Sequence, residues 1–149
     1  MNVPRTSHGA VKILLIEDNP ADVLLTKELF TRSKTANEVG VVTNGAAALR
    51  FLHREGPYAS AARPDLILLD LNLPAVDGRE VLAEIKTDPD LKSIPVVVLT
   101  TSADERDIRR AYELNANCCM TKPMNLHEFC SAVRAIEEFW LIHVSLPKS

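Results

Sequence analysis

Short apolar runs recur along the chain, and each is followed by a stretch in which apolar positions return at three- and four-residue steps. The runs are Val11 to Ile16, Val39 to Thr43, Leu66 to Leu69, Val96 to Leu99 and Asn117 to Thr121. Those at Leu66 and Val96 are almost continuously apolar, the pattern of parallel strands covered on both faces. The run at Val39 is weaker, and the one at Asn117 draws its apolarity from cysteine and methionine. The helical stretches are Pro20 to Lys34, Ala46 to Arg54, Gly78 to Thr87, Asp104 to Asn115 and Leu126 to Trp140. In the last of these Leu126, Phe129, Val133, Ile136 and Trp140 form one stripe, as on an amphipathic helix. Strand and helix alternate throughout, which predicts an α/β fold: a doubly wound, five-stranded parallel sheet with helices on both faces. Such sheets bind ligands beyond the carboxyl ends of their strands. The stretch Arg54 to Pro64, rich in Gly, Pro and small residues, reads as a long loop. Residues 1–10 are expected to be disordered and residues 140–149 to form an apolar tail.

The length of 149 residues suits one domain. Seventeen Lys and Arg against 20 Asp and Glu give a net charge of -3, the wrong sign for a protein that grips nucleic-acid phosphates. No apolar run is long enough to span a bilayer. The amino terminus lacks the apolar core of a signal peptide, and Cys118 and Cys119 are adjacent, which argues against a disulfide framework. The expected setting is cytoplasmic, with neither nucleic acid nor membrane as partner.

The carboxyl ends of the strands carry the candidate chemistry. The first ends in Glu17 and Asp18, the third in Asp70 and the fourth in Thr100, while Lys122 and Pro123 follow the fifth. Singly, each is ordinary: an acidic residue after a strand is usually a helix cap or a solvated turn. Together they gather three carboxylates at one sheet edge, and a hard dication such as Mg2+ relieves their repulsion. Glu17, Asp18 and Asp70 contribute three negative charges, which Lys122 and Mg2+ balance.

The segments IEDNPAD, LILLDLNLPAVDG, IPVVVLTTSAD and TKP, in that order, resemble the receiver domain of bacterial two-component response regulators, a flavodoxin-like fold. The resemblance runs from about Val11 to Phe139. It implies that Asp70 is the phosphoacceptor, with Mg2+ as cofactor held by Asp18 directly, by Glu17 through water, and by Asp70 and the backbone carbonyl of Asn72. It implies that Thr100 is the switch hydroxyl, that Lys122 contacts the phosphoryl group, and that the Lys122–Pro123 peptide is cis. The kinase donor would be a sensor histidine kinase, and the chain would catalyse only its own phosphorylation and dephosphorylation. Where the family places an aromatic residue three before this lysine, Cys119 stands. Either the motion of Thr100 is coupled to output differently, which is the reading adopted, or Tyr112 supplies the mobile ring; the thiol itself is expected to be buried.

The loop before the third strand, the segment LTTSAD and the EEFWL tail look similar to stand-alone regulators that partner phytochrome-type sensor kinases. No output domain is expected after Phe139, so signalling would run through protein contacts. Phe139, Trp140, Leu141, Ile142, Val144 and Leu146 crowd the tail, and apolar patches of that kind seldom stay exposed. A homodimer is therefore expected, through the tail and the face of the fourth helix, fifth strand and fifth helix. The alternative is a Mg2+-dependent phosphohydrolase of the haloacid dehalogenase type using Asp70 as nucleophile; it requires an acid at position 72, where Asn stands. A nucleotide- or flavin-binding reading lacks its Gly-rich loop after the first strand, and a phosphorylation-independent scaffold fits poorly with the intact acidic set. Zinc held by Cys118, Cys119, His127 and Cys130 fits no common ligand spacing, and alternation sends the adjacent cysteines to opposite faces.

Overall fold

The computed structural model describes residues 10–32, 36–100 and 105–122, together with His127 and Ser131. Five parallel strands form one sheet: β1 (Val11–Ile16), β2 (Asn37–Val42), β3 (Leu66–Asp70), β4 (Val96–Thr100) and β5 (Cys118–Thr121), in spatial order β2-β1-β3-β4-β5. The helices between them are α1 (Pro20–Thr31), α2 (Gly45–Leu52), α3 (Gly78–Thr87) and α4 (Glu105–Glu113). Strand order reverses beside β1, so the crevice between β1 and β3 is where such a sheet presents a ligand site.

The sequence accounts for the layering. Every residue of β3 and β4 is buried, as their unbroken apolar runs require. Leu14, Ile16, Ile67, Leu69, Val96 and Val98 face one way and meet Ala47, Ala48 and Leu52 of α2, Val81, Leu82 and Ile85 of α3, and Ala111 of α4. Ile13, Leu15, Leu66, Leu68, Val97 and Leu99 face the other way and meet Leu29 and Phe30 of α1. Cys119 packs on the first face and Cys118 on the second. The adjacent cysteines thus point apart, as strand alternation dictates, and among the described residues neither joins a metal-ligating cluster.

Caps set the helix starts. Asn19 Oδ1 accepts from the backbone N–H groups of Ala21 (2.9 Å) and Asp22 (3.2 Å), and Asn44 Oδ1 from Ala47 (2.7 Å). Asp77 and Glu80 form a reciprocal capping box at α3, satisfying donors that the first turn leaves orphaned. At the far end of the sheet the Lys86 ammonium donates to the carbonyls of Ile94 (2.8 Å) and Lys92 (3.1 Å) and to Asn117 Oδ1 (3.1 Å). Burial pushes its pKa down.

Several boundaries differ from the pattern-based expectation. β3 and β4 each run one residue further, to Asp70 and Thr100, because a polar side chain at a strand end still leaves its backbone free to pair. β2 begins at Asn37, where pairing with Val11 draws two polar residues into the ladder. α1 ends at Thr31, three residues short of Lys34, with Arg32 as its cap. The long loop holds a 3-10 turn at Gly56–Tyr58, pinned by the Phe51 and Tyr58 rings at 5.4 Å between centroids. Of the expected last helix, His127 and Ser131 are described and are helical. Its remainder, residues 1–9, the Lys122–Pro123 peptide, and the tail with Phe139, Trp140 and Leu141 lie outside the described residues.

Between β3 and α3, Ala75 is exposed and has φ of 62°, a left-handed conformation that costs an L-residue with a Cβ roughly 1–2 kcal/mol. Ala75→Gly relieves this but frees the unfolded chain. The expected net effect is a stabilisation of about 0.5–1 kcal/mol, read as a higher urea midpoint.

Candidate functional site

The site lies where β1, β3 and β5 end. Glu17 follows β1 directly and its backbone N–H donates to the carbonyl of Val42 (3.0 Å), which fixes the turn. Its side chain is 1% exposed, and that of Asp70, the last residue of β3, is 3% exposed. Asp18 is exposed beside them. One carboxylate oxygen from each of Glu17, Asp18 and Asp70 lies within 4.8 Å of the others. Asp70 Oδ1 accepts the backbone N–H of Asn72 (2.9 Å), and Glu17 Oε2 that of Asn19 (3.2 Å).

Lys122 enters from the end of β5, where its backbone N–H donates to the carbonyl of Thr100 (2.6 Å). Its side chain is 7% exposed. The ammonium donates to Glu17 Oε1 at 2.7 Å and to Asp22 Oδ2 at 3.0 Å, and forms an ion pair with Asp70 Oδ2 at 3.3 Å. Burial opposes its charge, but the hydrogen bonds to Glu17 and Asp22 and the charges of Asp70 and Glu17 outweigh burial, so its pKa rises above the ordinary lysine value. Glu17 moves the opposite way from most paired carboxylates. Burial first, with Asp70 alongside, pushes it up to about 7 even though Lys122 and the Asn19 N–H pull it down. Glu17, Asp22 and Asp70 meet one ammonium, and Asp18 lies beside Glu17 and Asp70, so the balance read from the sequence is one negative charge short.

That surplus is what a hard dication relieves, and an all-oxygen donor set is what Mg2+ prefers. The donor residues therefore fit such an ion.

The structure brings together Glu17, Asp18, Asp70 and Lys122 as expected. Thr100 is fully buried at the end of β4, in register with Thr121 of β5. Asn72 is exposed next to the site. Tyr112 is about half exposed on α4, with its hydroxyl against the backbone of Cys119. The expected buried thiol is corrected: Cys119 is only half-buried, because β5 is an edge strand with a neighbour on one side.

Three residues carry roles that sequence reasoning did not assign. Asp22 holds Lys122, and Asn19 joins Glu17 to the first turn of α1. Gly78 begins α3 so close to β3 that a Cβ there would lie 2.5 Å from the Asp70 carbonyl oxygen and from Leu71 Cα. Asp22 and Gly78 both lie in the quoted motifs, and the Asp-Gly pair ahead of a helix was the available signal for the glycine.

Residues 13–134 match the family model described as the response regulator receiver domain. The chain belongs to the response regulator receiver family. The receiver is 53% identical over 135 residues to Response regulator Rcp1 of Synechocystis sp. (strain ATCC 27184 / PCC 6803 / Kazusa), covering 91% of this chain and 92% of that protein. In structure it resembles the phosphorylated cyanobacterial phytochrome response regulator RcpA at a TM-score of 0.78 and 56% identity, over 89% of this chain and 95% of the other. It likewise resembles the Mn(2+)-bound form of response regulator Rcp1 at a TM-score of 0.77 and 53% identity, over 88% and 94% of the two chains. The five-stranded receiver fold thus stands as expected, and the dehalogenase alternative gains no support. No helix among the described residues of the receiver is long and apolar enough to cross a membrane.

Proposed function

We propose that this receiver accepts a phosphoryl group on Asp70 from a phosphohistidine of a sensor histidine kinase, of the phytochrome type, and signals by protein contacts. The observation that carries the reading is one buried ammonium placed among Glu17, Asp22 and Asp70 at the strand ends. A carboxylate oxygen of Asp70 attacks phosphorus, the P–N bond to imidazole breaks, and the imidazole leaves with the electron pair and takes up a proton. Lys122 meets the charge on the phosphoryl oxygens from within the protein, so positioning and charge carry the reaction. Mg2+ would be held by Glu17, Asp18, Asp70 and the backbone carbonyl of Asn72, and it would neutralise charge on the transferring group. Thr100, on the strand next to Asp70, offers a hydroxyl to the new phosphoryl oxygens. Its movement is read out on α4, β5 and the helix after β5, with Cys119 standing where a ring would move and Tyr112 as the adjacent aromatic.

The kinase assignment draws support from the relatives, whose names include phytochrome response regulators, and the divalent ion from the Mn(2+)-bound relative. On this reading the protein works in the cytoplasm and turns over nothing but its own acyl phosphate. Acetyl phosphate with Mg2+ is expected to add one base-labile phosphoryl group, detected by intact mass and absent in Asp70→Asn. Modification persisting in that variant contradicts the assignment.

The same reading includes a homodimer through the α4, β5 and last-helix face and the tail beginning at Phe139, Trp140 and Leu141. Sedimentation of the intact chain at tens of micromolar is expected to give a dimer, and a chain ending at Glu138 a monomer. Monomers in both remove the dimer.

A further inference from the structure

Asp22 has no part in the carboxylate cluster of Glu17, Asp18 and Asp70, yet it is one of only two groups hydrogen-bonded to the Lys122 ammonium among the described residues. An ammonium carries three N–H donors in a tetrahedral array and accepts nothing. Glu17 Oε1 takes one at 2.7 Å and Asp22 Oδ2 a second at 3.0 Å. Asp70 Oδ2, at 3.3 Å, is close enough for an ion pair. Fixing two donors fixes the third as well, and it holds the ammonium in an ion pair with Asp70 Oδ2 that is not itself a hydrogen bond. We infer that Asp22 is a positioning residue: with Glu17 it forms a two-carboxylate clamp that aims the remaining N–H of Lys122 at the phosphoryl group on Asp70.

The clamp is itself held. Asp22 sits in the first turn of α1, and its backbone N–H donates to Asn19 Oδ1 (3.2 Å), while the Asn19 N–H donates to Glu17 Oε2 (3.2 Å). Both jaws therefore hang on one cap residue, and their separation is set by backbone. A flexible four-carbon lysine gains most from such fixing, because small misplacements of a charge-stabilising group cost orders of magnitude in rate. The ordinary reading of Asp22, an acidic residue favoured by the helix dipole, explains its presence in the first turn. It does not explain a 3.0 Å bond to a lysine 100 residues away.

This inference rests on the proposed phosphorylation of Asp70. The test follows acetyl phosphate-driven phosphorylation at saturating Mg2+ by intact mass, with the modified residue mapped. Asp22→Ala is expected to slow the reaction about tenfold, the scale of one lost hydrogen bond to a charged group. Asp22→Asn keeps an acceptor for the ammonium and is expected to lose less than about threefold. In a Lys122→Gln background, Asp22→Ala is expected to cost less than about twofold more, since the group it aims is gone. A wild-type rate in Asp22→Ala, with the phosphoryl group mapped to Asp70, overturns the clamp alone. So does a full tenfold loss in the Lys122→Gln background, which would mark a general structural role. If Lys122→Gln does not fold, equal losses in Asp22→Ala and Asp22→Asn overturn it instead. Modification mapped away from Asp70 overturns both the clamp and the reading of the site.

Discussion

Lys122→Met is expected to lower folding stability by about 3–5 kcal/mol near neutral pH, the usual cost of removing one partner from a buried ionic group. The side chain fits the space but leaves Glu17 and Asp70 facing each other with no cation between them. The loss is expected to depend on pH. Burial pushes the Glu17 carboxyl from its ordinary 4.5 up to about 7 in the folded wild type, so the folded state binds the extra proton between those values. In the absence of metal this group's contribution therefore falls as pH rises from 4.5 to about 7. Without Lys122 the carboxyl holds its proton to still higher pH, and the window extends upward. Urea melts are expected to show a larger difference between wild type and variant at pH 8 than at pH 5.5, and Mg2+ to recover part of it. An equal difference at the two pH values contradicts this account of the charges.

Among the described glycines, Gly78→Ala is expected to be the most damaging addition of a single methyl group. The new Cβ would lie 2.5 Å from the Asp70 carbonyl oxygen and from Leu71 Cα, and 2.9 Å from the Leu71 carbonyl oxygen. All three are backbone atoms that no rotamer change can move. Helix α3 must retreat, breaking the Gly78 N–H bond to the Leu71 carbonyl (3.2 Å), or β3 must give way at Asp70. The expected cost is about 2–4 kcal/mol, with a phosphorylation rate down by roughly 10²-fold if Asp70 shifts by an ångström. Gly40→Ala is the matched control, since a Cβ there meets nothing nearer than the Ile13 carbonyl oxygen at 4.0 Å. Its urea midpoint and phosphorylation rate are expected to stay close to wild type. A Gly78→Ala chain that behaves like Gly40→Ala would show that the helix has room to move.

The sheet was legible because β3 and β4 are buried on both faces and their sequences announce it. The site was legible for a related reason: parallel strands deliver their terminal residues to one edge, so Glu17, Asp18, Asp70 and Lys122 could be brought together from strand assignments alone. Asp22 escaped because its meaning lies in a partner 100 residues away, whereas its local setting, an acid in a first helical turn, already looked complete. Gly78 escaped for a different reason. A glycine after a capping aspartate has a local explanation, and only the packed structure shows that backbone fills the volume its side chain would need. The edge strands were blurred at their ends, since Asn37 and Glu38 pair by backbone while their side chains give no strand signal. The half-burial of Cys119 was not legible, because alternation fixes which face a side chain takes but not how deeply an edge strand is covered.

The distribution of exposure around the carboxylates carries a kinetic consequence. Glu17, Asp70 and Lys122 are sealed on the protein side, while Asp18 and Asn72 form the rim that meets solvent. Among the described residues, this rim is where a cation and a phosphodonor would both approach the cluster. A protein docked over Asp18 would close it to both. On the proposed function, an ion that enters across this rim would do so before a partner docks over it. Mg2+ concentration would then set how many molecules stand ready before the encounter, rather than how fast the encounter proceeds once made.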